Sequence, residues 1–238
     1  MKKKIEKAKY NAYLTGDTHV HVSTRNKKIG NGIYNISLLP GCTLLRKKDG
    51  TLLSNIPGTC GGCCEGCEHD CYAKNYTIRY HNTCIPAYQA NTLLALHDSD
   101  RYWNELQSYI DNGIVSVFRF HVAGEIPNED YLVRLIKFSI KNPEVKFYIY
   151  TKRFAWLEKH ADEIPFNLHV LVSIWHKNYD NPQKFAEFIY DDGMEPELTE
   201  IPHCPAVDKN GHETGVTCAK CKKCINAKRG DKIAVYAH

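Results

Sequence analysis

Residues 145–151 read Val-Lys-Phe-Tyr-Ile-Tyr-Thr, and residues 168–175 read Leu-His-Val-Leu-Val-Ser-Ile-Trp. Both are short apolar runs rich in β-branched and aromatic side chains, the pattern of a strand buried in a sheet. Between them, Phe154–Glu163 has helical character. The same alternation recurs upstream. Val115–His121 (VSVFRFH) reads as a strand. Asn128 then caps a helix with Glu129 and Asp130 in its first turn, where the helix dipole favours acids. Leu132, Leu135, Ile136 and Ile140 are its expected buried stripe, and Asn142-Pro143 ends it. Strands alternating with helices imply a parallel sheet joined by right-handed crossovers.

Working outward, Ile33–Leu39 (IYNISLL) is the first strand and stops at Pro40-Gly41. Residues 42–71 read as a long loop rich in glycine and cysteine, a feature usually tied to function. Helices are expected from near Cys71 through Tyr80, over Pro86–Leu96, and from a cap at Asp98 or Ser99. Trp103, Leu106 and Ile110 face inward on the last of these, and Asn112-Gly113 stops it. Towards the C-terminus, Pro182–Asp191 reads as a helix, Leu198–Ile201 is the candidate for a sixth strand, and Lys232–Ala237 is the last strand. Five or six strands are too few for a complete eight-stranded barrel. The expected fold is therefore α/β, a partial (open) parallel β/α barrel of five to six strands whose Cys-rich loops carry metal clusters. A doubly wound open sheet is the rival. Residues 1–30 are read as a basic arm or edge strand before a single β/α domain, 31–238. In either fold chemistry belongs at the carboxyl ends of the strands, which the first cysteine loop follows.

With 238 residues, 43% hydrophobic and 24% charged, the composition excludes a disordered tail, a collagen and a coiled coil. No run approaches the ~18 apolar residues of a membrane helix. The basic start MKKKIEKAKY is not followed by an apolar stretch, so no secretory signal and a cytoplasmic location are expected. A net charge of +4 permits an anionic partner without requiring one. Eleven cysteines, an odd number in two clusters, point to metal ligands in a reducing compartment rather than to disulfides.

Cys218-Ala-Lys-Cys221-Lys-Lys-Cys224 has two successive two-residue gaps, which lets three thiolates reach one cubane cluster. Cys204, followed by Pro205, can supply the fourth, as in ferredoxin-type runs. Upstream, Cys60, Cys63, Cys64, Cys67 and Cys71 offer more thiols than one site needs. Cys60, Cys64, Cys67 and Cys71 are the candidates, and the glycines between them let backbone fold around a bulky cofactor. Two [4Fe-4S] clusters are expected, with zinc as the alternative metal.

Two resemblances attach to these residues. Leu39-Pro40-Gly41, Thr59-Cys60, Cys67-Glu-His-Asp-Cys71-Tyr72-Ala73, Phe118-Arg-Phe-His-Val-Ala-Gly-Glu-Ile-Pro-Asn128, Thr151-Lys152 and the Cys-rich end resemble the "gene product eighty-eight" family of phages and mobile elements. That pattern implies Cys60, Cys67 and Cys71 as ligands of the first site. More loosely, the chain resembles radical S-adenosylmethionine enzymes, which carry a three-cysteine cluster after the first strand of a partial barrel. Ala123-Gly124-Glu125 stands where their Gly-Gly-Glu motif meets the cofactor's amino group. This resemblance implies Gly124, Glu125 and Tyr72 at S-adenosylmethionine, and an auxiliary cluster near the C-terminus. It also implies a reductant such as ferredoxin or flavodoxin.

Arg119 and His121 alternate on VSVFRFH and would share a face at the strand end, so both join Glu125 as catalytic candidates. His203 and His212 flank the second cluster and could replace a cysteine. Tyr72, Tyr76, Tyr80 and Tyr88 beside Lys74 and Arg79 could stack on nucleic-acid bases, although packing is the plainer use of tyrosines.

Overall fold

Lys146–Thr151 (β5) pairs in parallel with Val117–Phe120 (β4) on one side and Leu168–Ile174 (β6) on the other, in a computed structural model that describes residues 14–62, 67–68, 71–175, 181–191, 198 and 200–236. Ile33–Asn35 (β1) adds to β4, and Ala186–Asp191 (β7) and Lys232–Tyr236 (β8) extend the other edge, each in parallel. The order is β1-β4-β5-β6-β7-β8. It advances in one direction along the chain, so the reversal that defines a doubly wound sheet is absent among the described strands. The fold is mixed α/β with a six-stranded parallel sheet. A short antiparallel hairpin joins Leu44–Arg46 (β2) to Leu52–Pro57 (β3).

The chain divides into two compact units. The first comprises residues up to Val22, Ile36–Val115 and His121–Pro127. It holds the hairpin and three helices, Tyr72–Arg79 (α1), His81–His97 (α2) and Ser99–Asn112 (α3). Leu39, Leu45, Ile56, Ile85 and Leu93 form its core, and α3 buries Tyr102, Trp103, Leu106 and Ile110. The second comprises Ser23–Asn35, Ser116–Phe120 and Asn128–His238, and contains the whole six-stranded sheet.

In the second unit the two faces of the sheet are covered differently. Phe118, Phe120 and Phe147 lie on one face, where Phe120 and Phe147 meet Phe138 of Glu129–Lys141 (α4), with ring centroids 6.4 and 5.6 Å apart. Asn128 caps α4 through its side chain, which accepts from the Tyr131 N–H. The opposite face carries Arg119, Tyr148, Tyr150, Leu171 and Phe188, since register partners in a parallel sheet share a face. Cys204 and Cys224 pack there, against Leu171, Ala186, Ala227 and Ile233.

Several expectations are corrected. Residues 186–191 are a strand, not the end of a helix. The left-handed Lys184 (φ 52°) closes a turn pinned by Asn181, and pairing with β6 and β8 then overrides local helical preference. This is the sixth strand, while Leu198 and Glu200 lie in a 3₁₀ turn. The sheet-forming part of the first strand ends at Asn35 rather than Leu39. Residues 42–71 include the hairpin, whose turn uses Asp49 and the left-handed Gly50 (φ 86°). Helix α2 starts at His81 and carries Pro86 in its second turn. Ile140 is 57% exposed, and Tyr131, Phe138 and Ser139 take part in the buried stripe instead. Residues 14–30 are held in place: Val20 and Ile29 are buried, and Ser23 bridges Asn35.

Candidate metal centres

In the first unit, the segments that follow β1 and β4 in the chain lie side by side. The Val122 N–H donates to Ile36 O (3.1 Å), the Leu38 N–H to Ala123 O (2.9 Å), and the Ala123 N–H to Ser37 Oγ (3.2 Å). Helix α2 anchors the same stretch. The Asn91 amide donates to Ser37 O (2.9 Å), and Thr92 Oγ1 accepts from the Leu39 N–H (2.9 Å).

Thr59 joins the cysteine loop to the Ala-Gly-Glu segment. Its N–H and its hydroxyl both donate to Leu39 O, at 2.8 and 3.0 Å, while its Oγ1 accepts from the Glu125 N–H at 2.9 Å. The Cys60 N–H donates to Gly41 O (3.0 Å), and the Cys42 thiol donates to Cys60 O (3.1 Å), so Cys42 braces the loop. Gly124 is left-handed (φ 83°), and a Cβ there would stand 2.8 Å from Leu38 O. Only glycine permits that approach. Glu125 is buried at 9% exposure, and its Oε1 accepts from the Ile126 N–H (2.8 Å).

Cys71 is the N-cap of α1, its Sγ accepting from the Lys74 N–H at 3.4 Å. Tyr72 follows, 41% exposed, and its hydroxyl donates to Val122 O (3.3 Å), which joins the cysteine loop to the Gly124 segment a second time. Cys60 and Cys67 are partly exposed; Cys63 and Cys64 lie outside the described residues. Cys84 is buried on α2, where Tyr76 and Tyr88 adjoin it and burial pushes both phenols up.

His121 departs from its expected place. It follows the last residue of β4 with a left-handed backbone (φ 54°), so the strand alternation that would align it with Arg119 has already ended. Burial pushes its imidazole down to about 3, which keeps it neutral.

In the second unit four cysteines from two separate segments converge. Cys218–Cys221 is a single helical turn (α5) closed by the left-handed Lys222 (φ 58°), and Cys224 begins a 3₁₀ turn, Cys224–Asn226. The Cys218 and Ala219 N–H groups donate to Lys28 O (3.3 Å) and Ile29 O (2.9 Å). Gly30 leaves room for Thr217, since a Cβ there would meet Thr217 Oγ1 at 2.8 Å. Cys204 arrives from beside β8, with its N–H donating to Ala234 O (2.7 Å). Cys204 interacts electrostatically with Cys218 and Cys221, and Cys224 with Cys204 and Cys218. Burial pushes the Cys224 thiol up to about 12 and raises that of Cys204 as well.

Arg119 belongs to this second group. Its guanidinium lies 4.7 Å from the Tyr150 ring centre and 5.9 Å from that of Tyr148, and it interacts with Cys224. His203 is no substitute ligand. Its Nε2 meets Asp191 Oδ2 at 2.7 Å and its Nδ1 meets Ile201 O at 2.9 Å, so both ring nitrogens already face oxygens. His212 is an exposed partner of Asp208.

Among the described residues, no three His, Cys, Asp or Glu side chains stand in a coordinating arrangement. By chemistry alone, four thiols near one another are the donor set of a soft metal or an iron–sulfur cluster. Thr59 and Tyr148 were missed from the sequence, since neither a lone threonine before a cysteine nor a tyrosine on an apolar strand stands out. No helix among the described residues is long and apolar enough to cross a membrane. No curated protein and no solved structure matches the chain. The family model described as Gene product 88 matches residues 21–230, a span that holds every described cysteine and both halves of the Thr59–Glu125 junction, and the chain belongs to that family.

Proposed function

We propose that this protein is an iron–sulfur enzyme of the radical S-adenosylmethionine type, with one cysteine-held cluster in each unit. The observation that carries the reading is the nearness of Cys204 to Cys218, Cys221 and Cys224, with Cys204 and Cys224 packed on one face of the sheet. Four thiols from two segments have little structural use unless something binds them together. In the first unit Cys60, Cys67 and Cys71 are the candidate ligands, with Cys64 as the sequence-based fourth. Three ligands would leave one iron open to a small molecule.

The cofactor assignment draws support from Thr59, which ties the Cys60 loop directly to the Gly124-Glu125 segment. Glu125 would receive the cofactor's amino group, Gly124 would let backbone approach it, and Tyr72 would line the same place. S-adenosylmethionine, when bound, supplies a carbon radical on receiving one electron, and the protein supplies position and a dry pocket. A ferredoxin or flavodoxin would be the electron donor. A strand order that advances in one direction is compatible with a partial barrel.

The test is iron, sulfide and zinc analysis with an absorption spectrum on protein purified without oxygen. About eight irons and eight sulfides per chain are expected for two cubane clusters. Glu125→Ala should keep both and lose S-adenosylmethionine binding. A colourless protein with zinc and no sulfide would overturn the iron–sulfur reading and leave a zinc-organised binding module.

A further inference from the structure

Tyr148 sits in the middle of the sheet, 0% exposed, and among the described residues its buried hydroxyl makes no hydrogen bond. A buried hydroxyl without a partner is destabilising, and native structures rarely keep one without a reason. The groups around it are informative. Arg119, Cys218 and Cys224 are its electrostatic neighbours. The hydroxyl lies close enough to the Cys218 thiol to interact with it, yet makes no hydrogen bond of good geometry there. A neutral thiol sulfur is a weak acceptor. A metal-bound thiolate or a cluster sulfide carries negative charge and accepts strongly.

The surrounding geometry has the same sense. Arg119 and Tyr148 are register partners across β4 and β5, and Tyr150 lies two residues on, so all three share the face on which Cys204 and Cys224 pack. The other face of those strands carries Phe118, Phe120 and Phe147. Arg119 stays charged at any ordinary pH, and its guanidinium over the Tyr150 ring brings a fixed positive charge close to Cys224. A tyrosine hydroxyl and a guanidinium on the cysteine side of the sheet suit an anionic centre.

We propose that Tyr148 is a positioning residue that donates its hydroxyl proton in a hydrogen bond to a metal-bound sulfur of the C-terminal centre, with Arg119 balancing the charge of that centre. The inference rests on the reading that Cys204, Cys218, Cys221 and Cys224 form one site. Groups of this kind orient ligands and tune the metal, and their loss typically weakens binding 10–100-fold.

The test uses the full chain with Cys60, Cys63, Cys64, Cys67 and Cys71 replaced by serine, titrated with Co(II) without oxygen. One tightly bound cobalt per chain with an intense thiolate-to-cobalt absorption is expected. Its absence would overturn the four-cysteine site and the inference with it. Tyr148→Phe keeps the ring and its place over Arg119. It should still bind one cobalt, about tenfold more weakly, with the charge-transfer band moved to lower energy because the sulfur loses a donor. It should also melt no lower than its parent without metal, yet lower with cobalt bound. An unchanged band and affinity would overturn the inference while leaving the site intact. If Tyr148→Phe fails to fold, Arg119→Gln decides: the same band shift supports the proposal, and no shift overturns it.

Discussion

The backbone N–H of Glu125 donates to Thr59 Oγ1 at 2.9 Å, and the same hydroxyl donates to Leu39 O at 3.0 Å. One buried side chain thereby links three stretches far apart in sequence: the continuation of the first strand, the start of the cysteine loop, and the Ala-Gly-Glu segment. A buried hydroxyl that both gives and accepts cannot be replaced by an apolar isostere without leaving a donor and an acceptor unpaired. Thr59→Val should therefore destabilise the protein by about 2–3 kcal/mol, and Thr59→Ser should recover most of it. Urea unfolding followed by circular dichroism measures both.

Gly124 and Gly16 make a matched pair. At Gly124 a methyl group meets Leu38 backbone at 2.8–2.9 Å in a left-handed conformation, whereas at Gly16 it meets nothing within 4 Å. Gly124→Ala should lower the melting temperature clearly, by about 2 kcal/mol or more of stability. Gly16→Ala should stay within about 0.5 kcal/mol. Equal effects at the two positions would show that the close approach of Leu38 is not what requires glycine.

His160 links the start of α4 to the helix that follows β5. Its Nε2 meets Glu129 Oε1 at 2.8 Å and its Nδ1 meets Glu163 Oε1 at 2.7 Å. Hydrogen bonds to Glu129 and Glu163 raise the His160 value above that of an ordinary histidine, and bonds from Lys159 and His160 hold Glu129 below the usual carboxylate range. The sign follows. A raised histidine contributes stability that is complete below its unfolded value, near 6.5, and is lost as pH rises through the folded value. A lowered carboxylate contributes above its unfolded value and fails as pH falls through its folded one. The stability difference between the parent and His160→Gln should therefore be largest in mildly acidic solution, between the carboxylate and histidine ranges, and shrink towards alkaline pH. A pH series of thermal melts checks this, and a difference independent of pH would contradict it.

Asn167 ties down the end of α4. Its amide nitrogen donates to Ser139 O (2.9 Å), Asn142 O (2.9 Å) and Val145 O (3.0 Å), and the residue is 3% exposed. Asn167→Ala strips a donor from three buried carbonyls and should cost about 2–3 kcal/mol. Asn167→Asp replaces the donor by an acceptor, so it should be worse, and more so as pH rises and the carboxyl must ionise there. Chemical denaturation at two pH values distinguishes the two variants.

Lys222 closes the helical turn of the C-terminal cysteines with a left-handed backbone. A side chain in that region costs roughly 1–2 kcal/mol. Lys222→Gly should stabilise the protein by about 1 kcal/mol in the absence of metal. A loss of stability would mean that the lysine side chain contributes more there than its backbone costs.

Local chemistry alone carried much of the reading. The runs at 115–121, 145–151 and 168–175 contain the strands Val117–Phe120, Lys146–Thr151 and Leu168–Ile174 because their side chains suit a buried pleat, and Asn128 caps its helix through a bond to the third residue on. The spacing of Cys218, Cys221 and Cys224 likewise places two of them in one helical turn and the third at the start of the next turn. What depends on distant partners was not legible. Residues 186–191 are a strand only because β6 and β8 hold open a position between them. Arg119 and His121 part company because one residue of left-handed backbone ends the strand alternation, and nothing in their spacing signals it. Arg119, Tyr148 and Tyr150 meet the C-terminal cysteines through parallel register, a relation between segments about 50–100 residues apart that only the folded sheet decides.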